Sequence, residues 1–169
     1  MQILPSALDD FDEIFRLYDD VITYQKTKFH RYWLGFNPAA VTQEIIEKRH
    51  WKIVVDDTIA CVFSLTYNDP DIWFERDVEP SLYIHRIAVN PAFGGNGYVR
   101  NIITWAKEYA KPLGKKYIRI DTFGDNTKLI DYYTGLGFTW LENRAPFIHE
   151  ASPKHYVGIE LALLEIAID

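Results

Sequence analysis

The residues Gly94-Gly95-Asn96-Gly97 stand between a strand-like run and an amphipathic run, and their backbone is well suited to hold an anion. Glycine tolerates positive φ and carries no Cβ, so several N–H groups can converge on one phosphate. At a helix start those groups lack intrahelical partners and point outward. Glycine-rich turns also serve as plain connectors, and spacing alone leaves both readings open. Among side chains, Glu79, His85 and Asp121 are candidates for taking up a proton, although a strand histidine is also commonly structural. Cys61 lies among Ala60, Val62 and Phe63 and reads as a small core residue, so it has no support as a nucleophile. His30, His50, His85, His149 and His155 are scattered without ligand spacing, so no metal is expected.

Neither common nucleotide fingerprint fits the turn. A P-loop needs Lys and then Ser or Thr after its last glycine, where this chain has Tyr98 and Val99. The dinucleotide motif, started at Gly95 and Gly97, needs a third glycine where Arg100 stands; Asp121, at a strand end, meets only one of its other requirements.

The elements that must position these groups can be read from periodicity. Phe11, Ile14, Phe15, Tyr18, Val21 and Ile22 lie on one face of a helix from about Asp9, preceded by a short strand over Met1 to Leu4. A second helix starts near Pro38 and runs through Val41, Ile45 and Ile46. The aromatic connector Phe29 to Phe36 either caps the core or lines a pocket. Trp51 to Val55, Asp56-Asp57, and the run through Cys61, Phe63, Leu65 and Tyr67 predict a hairpin. Asn68 to Pro80 reads as an acidic loop with a turn near Ile72 to Phe74; its acids either attract a cationic amine or are simply solvated. Ser81 to Val89 is a strand ended by Asn90-Pro91. Val99, Ile102, Ile103, Ala106, Tyr109 and Ala110 then mark a helix, and Tyr117 to Thr122 the next strand. This βαβ unit requires the two strands to be parallel with a right-handed crossover. Asp125 or Asn126 caps a helix through Leu129, Ile130 and Tyr133, and strands near Phe138 to Asn143 and Tyr156 to Ile166 complete an α/β fold with a mixed sheet.

The 169 residues suit a single domain, 1–169, and 48% hydrophobic with 25% charged residues is a globular balance. A net charge of −6 without any dense basic run argues against nucleic acid. The lone cysteine, the acidic N-terminal segment and the lack of a long apolar run argue against disulfides, export and a membrane span, so a cytoplasmic location is expected.

The run Ile84-His85-Arg86-Ile87-Ala88-Val89-Asn90-Pro91-Ala92-Phe93, the glycine turn with its helix, and Asn126 leading to Tyr133-Thr134-Gly135-Leu136-Gly137-Phe138 together resemble the GNAT superfamily of N-acetyltransferases. The likeness covers about Ser81 to Phe138, with flanking elements in the family's order. Two positions depart from its glycine motif: Gly94 replaces a basic or amide side chain, and Val99 stands where almost no side chain is preferred.

The resemblance implies a GNAT-type mixed, mostly antiparallel sheet whose central parallel pair splays apart, flanked by about four helices. It implies acetyl-CoA as cosubstrate, a primary amine as acceptor and direct acyl transfer. The backbone of Ile87, Ala88 and Val89 would face the pantetheine arm, and Gly94, Gly95, Asn96, Gly97, Tyr98 and Val99 the pyrophosphate. Asn126 would touch pantetheine or merely cap its helix. Tyr133 would be the general acid for the leaving thiolate, with a purely structural aromatic as the alternative, and His85 or Asp121 the base. Arg100, Lys107 and Lys128 either help the phosphates or are solvated. A non-catalytic acyl-CoA-binding module of the same fold is the competing reading, and a small α/β protein of another family whose turn binds a different nucleotide, or nothing, is a further one. Dimers are common in the family, so a homodimer is one assembly that the resemblance allows, with the terminal strand Tyr156 to Ile166 able to pair across an interface; the oligomeric state is open at this point.

Overall fold

A computed structural model describes residues 1–169. They group into two compact units, Met1–Leu65 with His85–Tyr98, and Thr66–Ile84 with Val99–Asp169.

The first unit opens with β1 (Gln2–Pro5), antiparallel to β2 (His50–Val55), which pairs antiparallel with β3 (Thr58–Thr66). Asp56 and Asp57 both have positive φ, 47° and 58°, the geometry of a tight hairpin turn matched to strand twist. Between β1 and β2 lie α1 (Phe11–Lys28) and α2 (Pro38–Ile46). Asn37 caps α2 by accepting from the Ala39 amide, and Pro38 takes the first helical position, where no N–H is needed. Ile14, Leu17 and Tyr18 of α1 and Val41 and Ile45 of α2 pack with Val62 of β3 and Ala88. Trp33 and Phe36 of the aromatic connector pack on this cluster, both ring-to-ring with Tyr18.

The second unit is built on β5 (Tyr117–Phe123), β7 (Leu161–Ala167) and β6 (Thr139–Arg144), with β7 antiparallel to both of the others. The strand β4 (Ser81–Val89) gives its first residues to this unit and the rest to the other. Ser81, Leu82 and Tyr83 pair in parallel with Tyr117, Ile118 and Arg119, as a βαβ crossover through α4 (Tyr98–Ala110) demands. The strand order is β1-β2-β3-β4-β5-β7-β6, a mixed and mostly antiparallel sheet.

Three expectations change. Asn68 to Pro80 is more ordered than an acidic loop: it forms α3 (Pro70–Trp73) and a 3-10 turn over Phe74–Val78, which with α5 (Thr127–Gly135) brings the helices to five. The last strand begins at Leu161, because Lys154–Tyr156 forms a 3-10 turn. Strand β7 also has both backbone edges paired, so it is not open to pair across an interface. No helix is long and apolar enough to cross a membrane.

Candidate active site

In the first unit, the residues from His85 to Tyr98 follow one another along the end of β4 and the glycine turn. Most strand residues keep an extended backbone, but Arg86 has φ 52°. For a residue other than glycine this costs on the order of 1–3 kcal/mol. Its guanidinium is held from several sides. It pairs with Glu44 of α2, donates to Ser64 Oγ from Nε and Nη2 at 3.3 and 3.0 Å, and lies 5.0 Å from the Phe36 ring centroid and 6.0 Å from that of Tyr18. Ser64 Oγ in turn donates to the His85 carbonyl at 3.4 Å.

Deeper in the same unit, Tyr18 Oη and His50 Nε2 are 2.8 Å apart, as are His50 Nδ1 and Ser6 Oγ. Burial, and then the charge of Arg86, press His50 down to about 3; burial pushes Tyr18 up to about 12. Both rings are therefore neutral, and an imidazole with one N–H satisfies two hydroxyl neighbours by donating to one and accepting from the other.

After Val89 the chain returns to β3: Asn90 N donates to Ala60 O at 2.9 Å and its side chain to Ile59 O at 3.0 Å. Asn90 also caps the short turn Pro91–Phe93 through the Ala92 amide. Gly95 and Gly97 have φ 81° and 70°, and a Cβ at either would meet nothing, so backbone conformation rather than crowding calls for glycine. Gly94 lies at φ −57° and makes no such demand. All four turn residues are exposed, and Tyr98, buried behind them, begins α4. The first amides of a helix that starts this way have no intrahelical acceptor, so the turn fits a phosphate-bearing cofactor.

The second unit holds Val99, Asp121, Asn126 and Tyr133. Asn126 is the N-cap of α5, its Oδ1 accepting from the Leu129 amide at 3.1 Å, so capping accounts for its presence. Tyr133 is buried on the inner face of α5 beside Ile130 and meets Phe138 edge to face, 5.8 Å between centroids; Tyr132 turns outward. Gly137, at φ 102°, stops α5, and a Cβ there would press on Ile166 at 3.2 Å. Asp121 accepts from the Tyr156 hydroxyl at 3.3 Å, and carboxylate oxygens of Asp121 and Asp69 lie within 4.8 Å of each other.

Glu79, the third proton acceptor considered, is bound to Arg119 at 2.5 Å. Arg119 is fully buried: it also pairs with Glu165 at 3.0 Å, donates to the Arg76 carbonyl at 2.6 Å, and lies over the rings of Trp73, Tyr117 and Tyr83. Asp71 pairs with His149 and Glu75 with Arg144, while Asp77 accepts from Tyr83 Oη and the Asp69 amide. The acids of residues 69–79 thus largely have partners within the second unit. Cys61 is buried, and that burial pushes its thiol up to about 12, too high for a nucleophile.

Sequence reasoning missed Arg86, Glu44, Ser64 and Arg119. A signal existed for both arginines, since each stands among apolar residues of a strand, where a charge is affordable only if paired.

The sequence matches the model of the Acetyltransferase (GNAT) family over residues 10–138. It is 26% identical over 153 residues to the uncharacterized N-acetyltransferase YesJ of Bacillus subtilis (strain 168), covering 86% of this chain and 85% of that protein. The fold is similar to a GNAT-family acetyltransferase of Listeria monocytogenes 4b F2365, with TM-score 0.78 and 19% identity over 98% of this chain and 94% of the other. It is also similar to yncA of Salmonella typhimurium, described as an acetyltransferase and solved with its cofactor acetyl-CoA. There the TM-score is 0.69 and the identity 14%, over 100% of this chain and 94% of the other.

Proposed function

The chain belongs to the Acetyltransferase (GNAT) family, whose cosubstrate is acetyl-CoA, and on that premise we propose that residues 1–169 act as one N-acetyltransferase domain transferring an acetyl group directly to a primary amine. The observation that carries this reading is the turn Gly95-Asn96-Gly97, two left-handed glycines opening straight into α4. In this reading amides from Gly95 to Val99 hold the pyrophosphate. The main chain of Ile87, Ala88 and Val89 pairs with the pantetheine arm as an added strand would, and one of its amides steadies negative charge growing on the acyl oxygen.

Bound acetyl-CoA supplies an acyl group already activated as a thioester. Asp121 or His85 takes the proton that the acceptor ammonium must lose before its nitrogen can attack. As the new C–N bond forms and the C–S bond breaks, the Tyr133 phenol donates its proton to the departing sulfur. Packing against Phe138 limits the motion of the ring that carries this hydroxyl.

Two experiments test the proposal. Acetyl-CoA and CoA should raise the thermal midpoint, and ATP and NAD should not; no shift with either CoA species would remove the reading. With an amine that supports CoA-thiol release, Tyr133→Phe should lower kcat by about 100-fold or more and leave CoA affinity unchanged. Unchanged turnover would remove Tyr133 as the acid.

A further inference from the structure

We infer that Arg86 is a positioning residue: its grip on Glu44 and Ser64 holds the left-handed kink in β4 that frees the backbone of Ile87, Ala88 and Val89 for the cofactor. This rests on the acetyl-CoA reading above. The other non-glycine residues at positive φ all sit where a chain reverses or a helix ends: Lys48 past α2, Asp56 and Asp57 in the hairpin turn, Phe74 after α3. Arg86 alone lies inside a strand. Nothing in arginine favours that conformation, so the surroundings must impose it.

The means are visible within the first unit. Glu44 comes from α2, Ser64 from β3, and the Phe36 and Tyr18 faces complete the cage. Side chains of Arg86 and Glu44 are each 14% exposed, so their attraction is little weakened by water. On either side of the kink β4 is anchored to β3, by Ser64 Oγ at the His85 carbonyl and by the Asn90 amide at the Ala60 carbonyl. A left-handed residue inside a strand bends it and turns neighbouring main-chain groups out of the regular ladder. The parallel rungs of β4 with β5, at Ser81, Leu82 and Tyr83, all precede it, and Ile87, Ala88 and Val89 all follow it. Main-chain groups withdrawn from one ladder are what a strand-like ligand requires.

The test is calorimetric titration of acetyl-CoA, without acceptor, into the native chain and variants. Arg86→Ala should weaken binding about tenfold or more, because the relaxed strand no longer presents the same groups. Arg86→Gly should recover most of that loss although it lacks the same side-chain atoms, since glycine adopts positive φ unaided. If Arg86→Ala fails to fold, Ser64→Ala removes only part of the grip and should weaken binding about threefold or more. A folded Arg86→Ala or Ser64→Ala that binds as the native chain does would overturn the inference. So would Arg86→Gly binding as poorly as Arg86→Ala, which would make the guanidinium itself the binding group. A native chain that binds no acetyl-CoA would remove the underlying function and this inference with it; native binding with indifferent variants would remove the inference alone.

Discussion

Arg86 and Arg119 are arginines on the parallel strands β4 and β5, and their surroundings use the charge differently. Arg119 keeps ordinary strand geometry, sits in rungs with Tyr83 and Glu165, and answers two carboxylates, a main-chain carbonyl and three rings. It fastens residues 69–79, which form the short α3 and the 3-10 turn after it, onto β5. Arg86 meets a carboxylate, a hydroxyl and two rings, and its own backbone is bent. Similar chemistry thus stabilises a surface segment in one unit and shapes a strand in the other. Burying an arginine charge is costly wherever it occurs, so each site must repay it, in stability at one and in geometry at the other.

The sharpest way to break that contrast is Arg119→Met. It leaves Glu79 and Glu165 without their partner and should cost about 3 kcal/mol in urea unfolding while acetyl-CoA affinity holds. The reverse outcome, native stability with lost affinity, would exchange the roles assigned to the two arginines. A second effect belongs to the unit of Arg86. His50 has an ordinary value near 6.5 when unfolded and about 3 when folded, so the unfolded chain takes up its proton first as pH falls. Stability from this group is complete above about pH 6.5 and drains away toward pH 3. His50→Asn should therefore flatten the pH dependence of the unfolding midpoint across that window; an equal slope would mean another group titrates there. The smallest effect is expected for Glu75→Gln. This exposed carboxylate pairs with Arg144 at the rim of the Arg119 region, and its loss should leave the thermal midpoint within measurement scatter. A clear drop would show that the segment depends on its rim as well as on Arg119.

Much of this architecture is legible in the residue pattern. Apolar spacing places α1, α2, α4 and α5, and proline marks the start of α2 and glycine the start of α4 and the end of α5, because these features act over one or two turns of chain. The glycine turn is legible as a turn, yet which glycines matter is not: Gly95 and Gly97 hold positive φ while the flanking Gly94 does not, a distinction made by local dihedral angles. Residues 69–79 misled for a related reason. Their acids look solvated in sequence, and their partners Arg119, Arg144 and His149 lie 40 or more residues away. The kink at Arg86 has the same character, since its causes are Glu44 and Ser64 on other elements. Tyr133 lies on the buried face of α5, as its spacing from Leu129 and Ile130 predicts, while the choice between His85 and Asp121 turns on an acceptor that the sequence does not name.

Titration of acetyl-CoA into the native chain beside Gly97→Val tests the central claim most directly. Valine at φ 70° is strained, so the turn can no longer direct its amides at one anion. The account predicts saturable binding of one acetyl-CoA per native chain and a loss of at least about tenfold in the variant, with the fold retained. Absence of saturable binding in the native chain, or equal affinity in a folded Gly97→Val, would contradict it.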